Sequence, residues 1–182
     1  MPLFVMKYDP DIHHRRSIRL PEYDYAQAGA YFVTTCVQER KCLLGEIADG
    51  KMQLSDIGRV VEECWSAIPE HFGHVRLDVF VVMPNHIHGI LSITGVGARH
   101  ASPKITGPKQ RSLGAIVGSF KSAVTKRVNT LRGAQGRSIW QRNYYEHVIR
   151  DDDDLGVLRE YIVNNPLRWE LDQLHPDNPS KW

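Results

Sequence analysis

Two short clusters in this chain carry residue types able to do chemistry together. One is His86-Ile87-His88; the other is Tyr161 with Asn165 four positions on. The histidine pair follows an apolar run, Val79-Phe80-Val81-Val82-Met83-Pro84, and is preceded directly by Asn85. Side chains alternate along a β-strand, so His86 and His88 point to one side and Ile87 to the other. Two neutral imidazoles side by side grip a divalent metal and leave coordination positions for further ligands. On a helix, Tyr161 and Asn165 share a face. An amide oxygen coordinates a hard cation. A phenolic oxygen attacks phosphorus once its proton is lost or its charge is stabilised by a metal. Each cluster taken alone also has a plainer reading, as sheet histidines with backbone or water partners and as a packing tyrosine near a helix end. Tyr144 and Tyr145 are rival nucleophiles by type, but their place before or within a strand suits packing or base stacking better. His147 is open between a phosphate contact, a supporting group and a core histidine.

The elements that must position these residues follow from periodicity and punctuation. Ala30 to Val37 is rich in β-branched and aromatic residues and predicts a strand. Leu43 to Ile47, the turn signal Asp49-Gly50 and Met52-Gln53-Leu54 predict a small hairpin. Ser55 or Asp56 caps a helix reaching about Ile68, with Ile57, Val60, Val61, Cys64, Trp65 and Ile68 as its buried stripe. Val75 to Val82 and His86 to Ile93 predict two strands, joined as a hairpin through Pro84-Asn85. Gly89, next to the histidine pair, invites close approach by another backbone or a ligand. Ser112 caps a helix to about Leu131, a strand follows near 144–149, and Asp151 to Asp154 open a third helix whose dipole they complement. Pro166 stops that helix. The order strand, helix, strand, strand, helix, strand predicts an α+β chain: a ferredoxin-like βαββαβ antiparallel sheet, with an added C-terminal helix carrying the tyrosine. The expected organisation is a basic arm over 1–28, one domain over 29–168 and a polar tail over 169–182.

Net charge is only +2 over 182 residues, but the charge is unevenly placed. From Val79 to Tyr145 there are ten basic residues and no Asp or Glu; the rest of the chain holds 13 basic and 21 acidic residues. A block of one sign in a near-neutral chain suggests a polyanion surface, and nucleic acid is its natural partner. Arg15 and Arg16 in the arm, with Arg99, Lys104, Lys109, Lys121, Lys126, Arg127 and Arg142 in the block, are candidate DNA-backbone contacts. The loop 94–111, rich in Gly, Pro and basic residues, is long enough to suggest a functional role. No apolar run approaches membrane-spanning length, and the first residues, MPLFVMKYDPD, lack the core of a secretory signal. Cys36, Cys42 and Cys64 form no C-x-x-C pair and are read as reduced, mostly buried thiols of a cytoplasmic protein.

The segment VVMPNHIHGIL resembles the His-hydrophobic-His signature of the HUH single-tyrosine transposases. RRSIRLPEYDYAQAGAYFVTTCVQERKCLLGEI and WQRNYYEHVIRDDDDLGVLREYIVNNPLRW resemble one branch of that family, the REP-associated tyrosine transposases (IS200-like). The resemblance spans roughly residues 15–170. It implies a ferredoxin-like fold, Mg²⁺ or Mn²⁺ as cofactor, and cleavage and rejoining of single-stranded, hairpin-flanked DNA through a 5′-phosphotyrosine. By this similarity His86 and His88 are metal ligands and Tyr161 is the nucleophile. Many family members carry Gln four residues after the tyrosine as a further ligand; here the shorter Asn165 stands in that place. The family implies a monomer or a homodimer, since some relatives exchange the tyrosine helix. Two other readings compete: a non-catalytic nucleic-acid-binding protein derived from such a transposase, and a metal-dependent nuclease without a covalent step.

Overall fold

A computed structural model describes residues 23–95, 111–134 and 136–178. Four strands form one antiparallel sheet: β1 (Gly29–Cys36), β4 (Val75–Val82), β5 (His86–Ile93) and β6 (Tyr145–Ile149). Their order across the sheet is β4-β5-β1-β6, so the strand carrying the histidines lies beside the first strand at the centre. This is the expected ferredoxin-like arrangement. A separate two-stranded ribbon, β2 (Gly45–Ala48) and β3 (Lys51–Leu54), is the small hairpin expected from Asp49-Gly50. Both turn residues have positive φ, 51° and 70°, as a two-residue turn matching strand twist requires.

The helices divide between the two faces. α1 (Asp56–Ser66) starts at Ser55, whose hydroxyl accepts the Gly58 N–H at 3.1 Å. A short turn of helix, α2 (Ile68–His71), follows it. α3 (Leu113–Leu131) is capped by Ser112 in the same way. α1 and α3 cover the face formed by Tyr31, Val33, Ile87, Leu91 and Ile93, and enclose the main core around Trp65 and Phe120. α4 (Asp152–Asn164) covers the other face. Its Ile162, with Leu155, Leu158 and Tyr161, packs on Phe32 and Ile90. Alternation along β5 thus sorts its residues: Ile87 goes to the main core, fully buried, while His86, His88 and Ile90 face α4. Burying an isoleucine of this kind contributes about 1.5–3 kcal/mol, which anchors the strand from behind.

Three devices hold α4 in place. Asp151 caps it, accepting the Asp154 N–H at 2.8 Å. Arg159 makes a forked pair with Asp78, at the bulge of β4 between Leu77 and Phe80, with contacts of 2.5 to 3.1 Å. Asp154 meets His147 of β6 at 2.8 Å. After α4 the chain turns through a 3₁₀ segment, Pro166–Leu171, and Asp172 and Leu174 are buried against the body. The expected tail therefore packs on the domain through at least residue 174. No helix among the described residues is long and apolar enough to cross a membrane.

Candidate metal and tyrosine centre

The hairpin between β4 and β5 sets the position of the histidines. Met83 N–H donates to His86 C=O at 2.8 Å, and Val37 N–H donates to Asn85 C=O at 2.8 Å. His86 lies opposite Cys36 of β1, and His88 opposite Thr34. The two Nε2 atoms are 3.0 Å apart. Their other ring nitrogens are engaged from behind: His86 Nδ1 lies 2.8 Å from Asn85 Oδ1, and His88 Nδ1 lies 2.7 Å from Thr34 Oγ1.

The hydrogen-bond network assigns the tautomer of His86. The Asn85 amide nitrogen donates to two carbonyls, Arg40 at 3.1 Å and Leu174 at 2.8 Å. Its oxygen must then accept, so His86 Nδ1 carries the proton and Nε2 keeps a lone pair. Thr34 offers a hydroxyl that can donate or accept, so it suits His88 in either tautomer. Burial, with His88 adding to it, pushes His86 well below the ordinary imidazole value; burial pushes His88 down to about 3. Both rings are therefore neutral at physiological pH, the form that binds a metal.

Tyr161 reaches the pair from α4. Its hydroxyl is 3.2 Å from His88 Nε2. Tyr161, His88 and Phe32 pack as mutual ring neighbours, with Phe32 stacked on His88 at 5.3 Å. Burial pushes the phenol up to about 12; the charge of Asp172 adds to this, and a hydrogen bond from Asn165 acts the other way. Asn165 is 3% exposed, and its Oδ1 has no hydrogen-bond partner, while its amide nitrogen donates to Asp172 Oδ2 at 3.3 Å. Asp172 is 8% exposed, and one of its oxygens lies within 4.8 Å of ligating nitrogens on both His86 and His88. Two convergent imidazoles, a buried carboxylate and an amide oxygen lacking a donor fit a divalent cation. His86, His88 and Asp172 form a buried group able to hold one.

Comparison with known proteins finds relatives in sequence and in fold. A Haemophilus influenzae protein of uncharacterised function is 43% identical over 183 residues, covering 94% of this chain and 98% of its own length. A second H. influenzae protein, provisionally named a REP-associated tyrosine transposase, is 25% identical over 172 residues, covering 85% of this chain and 84% of its own. A REP-associated tyrosine transposase solved bound to a REP hairpin superposes with a TM-score of 0.58 at 18% identity, covering 87% of this chain and 77% of that one. This chain is similar in sequence to one REP-associated tyrosine transposase, so named provisionally, and in fold to another. A provisionally assigned transposase from Deinococcus radiodurans overlaps more loosely, with a TM-score of 0.46 and 17% identity over 80% of this chain and 95% of that one. No protein-family model matches the chain.

The four expected centre residues, His86, His88, Tyr161 and Asn165, come together within one chain. Tyr145 shares the α4 face but packs edge-on to Phe32, and Tyr144 belongs to the main core. His147 is the partner of Asp154, so its role is to fix the start of α4.

The candidate DNA contacts divide. Lys126 and Arg142 line an open groove of about 410 Å³, together with Ser122, Thr125 and Gln141. Lys121 borders the same groove, but its ammonium donates to the carbonyls of Gln141, Arg142 and Asn143 at 2.6, 3.4 and 3.0 Å. Arg127 pairs with Glu63 and touches Cys64 Sγ. Both of these cations are drawn into internal contacts, which the charge pattern alone did not reveal. Arg15, Arg16, Arg99, Lys104 and Lys109 lie outside the described residues.

Two further expectations need correction. The close approach at Gly89 is made by Trp65, whose ring would lie 2.4 Å from an added Cβ, rather than by a ligand or another backbone. Cys42 is exposed and Cys36 is part-exposed, so of the three only Cys64 is buried. Asp172 and Asn85 were missed as site residues. Asn85 had a local signal, its place directly before the pair; Asp172 had none, because a lone acid after a proline-led turn reads as turn chemistry.

Proposed function

We propose that the protein is a metal-dependent transposase that cleaves and rejoins single-stranded, hairpin-flanked DNA through a 5′-phosphotyrosine on Tyr161. The observation that carries this reading is the 3.2 Å contact between the Tyr161 hydroxyl and His88 Nε2, within a pair of neutral, converging imidazoles. The sequence and fold kinship with REP-associated tyrosine transposases, one of them solved on a REP hairpin, supports it.

His86 and His88 would hold a Mg²⁺ or Mn²⁺ ion, with Asn165 Oδ1 as a further oxygen donor. When bound, such an ion supplies polarisation of the scissile phosphate and charge for the leaving oxygen. The chain's own residues do the rest. Phe32 and the α4 packing hold the Tyr161 ring against His88. The phenol oxygen forms a bond to phosphorus and the bond to the 3′ oxygen breaks; the phenolic proton ends on the 3′ hydroxyl. The linkage keeps the energy of the phosphodiester, so a 3′ hydroxyl can reverse the step and rejoin a strand without an added high-energy cofactor. Because burial raises the phenol to about 12, Tyr161 is protonated until the reacting groups are in place.

Lys126 and Arg142 supply phosphate contacts along the groove. The strap bearing Arg142 is tied to the centre by sheet register. Gln141 N–H donates to Cys36 C=O at 2.8 Å, and Cys36 pairs with His86. The test is incubation of labelled single-stranded hairpin DNA with the protein and Mg²⁺ or Mn²⁺, followed by denaturing electrophoresis. A covalent protein–DNA band in wild type and none in Tyr161→Phe supports the reading. Strand cleavage that survives in Tyr161→Phe refutes it.

A further inference from the structure

Asp172 stands outside the residues that the family resemblance supplies, yet it is the charged member of the buried cluster. Among the described residues no Lys or Arg pairs with it. Its neighbours are the Leu174 N–H, which donates at 2.6 Å, the Asn165 amide and the His86 and His88 imidazoles. A buried carboxylate with two imidazole nitrogens close by and no cationic side chain bonded to it is a natural cation ligand. Asn165 Oδ1, buried and without a donor on a side chain whose amide nitrogen bonds Asp172, is a second sign that a cation belongs there.

The backbone around Asp172 is organised for the purpose. The 3₁₀ segment Pro166–Leu171 ends at it, with Asp172 N–H donating to Trp169 C=O at 3.0 Å. Asn178 closes the far side, donating to Asp172 C=O at 2.7 Å. Two residues on, Leu174 C=O accepts from Asn85 Nδ2 at 2.8 Å. The same Asn85 side chain accepts from His86 Nδ1. One buried amide therefore fixes the ring of the first histidine and the turn that carries the carboxylate. The spacing is suitable. Around an ion with bonds of about 2.1 Å, adjacent ligand atoms lie about 3 Å apart and opposite ones about 4.2 Å. The Nε2 pair at 3.0 Å matches adjacent positions. Asp172, within 4.8 Å of both histidines, needs only a small side-chain adjustment.

We infer that Asp172 is a ligand of the divalent cation, and that Asn85 is the positioning residue holding the C-terminal turn that carries it against His86. This rests on the metal half of the proposed function and is independent of strand transfer. A carboxylate and an amide oxygen beside two imidazoles shift the site toward Mn²⁺ and Mg²⁺, which prefer oxygen donors. They also leave the loaded centre at a net charge of +1 instead of +2. Residues 172–178 thereby become part of the centre, and loading the ion tightens the turn.

The experiment is Mn²⁺ titration of the full chain by isothermal calorimetry, in wild type, His86→Ala, Asp172→Asn and Asn85→Ala, with thermal melts of each. Asp172→Asn and Asn85→Ala are expected to weaken Mn²⁺ binding about 10–100-fold. An Asp172→Asn protein with wild-type affinity overturns the ligand assignment, and an Asn85→Ala protein with wild-type affinity overturns the positioning role. If His86→Ala loses Mn²⁺ while Asp172→Asn keeps it, the metal reading stands and this inference falls. A wild-type chain that takes up no Mn²⁺ removes both. Should a variant not fold, hydrogen exchange on the unmodified chain decides. With Mn²⁺ at about 100 times its Kd, amide protection over 172–178 rises up to about 100-fold. Unchanged exchange there, with binding detected, overturns the inference.

Discussion

Gly89→Ala is a sharp test of how the main core positions the histidine strand. Gly89 is buried on β5 beside His88, on the face opposite the centre. A Cβ placed there would sit 2.4 Å from Trp65 Cζ2, 2.9 Å from Cη2 and 3.0 Å from Cε2. Ordinary contact begins near 3.4 Å, so one partner must retreat by about 1 Å. Trp65 cannot do so freely. Its ring is fully buried, stacked on Phe80 at 5.8 Å and met edge-on by Phe120 at 5.3 Å. The strand then moves toward α4, or the ring leaves its packing. Overpacking of this kind costs about 1–3 kcal/mol. For a chain of this size, each kcal/mol lowers Tm by about 2–4 °C, so a fall of roughly 2–12 °C is expected. Thermal melts by circular dichroism, without and with Mn²⁺, measure it. Because His88 adjoins the displaced residue, the gain in Tm on adding Mn²⁺ should shrink as well. A melt within about 1 °C of wild type would show that Trp65 yields at little cost, and the account of β5 as wedged from behind would fail.

Tyr161→Phe should abolish the covalent adduct while leaving hairpin-DNA affinity within about twofold, since only the hydroxyl is removed; a comparable loss of binding, measured by fluorescence anisotropy, would mean the ring packing is disturbed. Arg159→Ala tests the clamp on α4. The Arg159 guanidinium holds the Asp78 carboxyl below its ordinary range, so the pair's contribution is present above the unfolded value near ~3.9 and is lost as pH falls through the lower folded value. The variant should therefore lose under about 1 kcal/mol at neutral pH and show a flatter decline in stability below pH ~4 in urea melts; an unchanged acid limb refutes the clamp. Lys126→Ala and Arg142→Ala should each lower the slope of log affinity against log salt by about 0.7–0.9 on hairpin DNA, and an unaltered slope removes the groove as a backbone contact.

What could be read from the sequence was whatever a short-range period encodes. The alternation of β5 placed His86 and His88 on one face and Ile87 on the other, and the packing of Ile87 in the main core bears this out. The four-residue spacing of Tyr161 and Asn165 put them on one helix face, and the two side chains do meet there. Caps were legible for the same reason: Ser55, Ser112 and the Asp151 group each bond a backbone N–H within three residues. Contacts between distant segments left no such trace. Nothing local tells that Arg127 meets Glu63, 64 residues away, or that Lys121 serves carbonyls 20 to 22 residues on. Asn85 to Leu174 spans 89 residues and depends on a 3₁₀ turn with no apolar period to announce it.

That difference bears on how the centre works. The two histidines sit on a central strand backed by the main core, and their geometry is fixed by sheet register. Tyr161 and Asp172 come from layers added after the ferredoxin-like unit is complete, held by the Arg159–Asp78 pair, the His147–Asp154 pair and the Asn85 amide. These polar attachments, two of them partly exposed, add to a small apolar contact of Ile162, Leu155 and Leu158 with Phe32 and Ile90, less extensive than the main core behind β5. The rigid half therefore presents the imidazoles, and the less strongly held half brings the phenol and the carboxylate. The covalent intermediate proposed above would demand such a division, because after cleavage the tyrosine would carry the DNA end and would have to make room for an incoming 3′ hydroxyl at the same phosphorus. A helix fastened by a small apolar patch and a few side-chain pairs can shift at a cost of a few kcal/mol, while the histidines behind it stay in register.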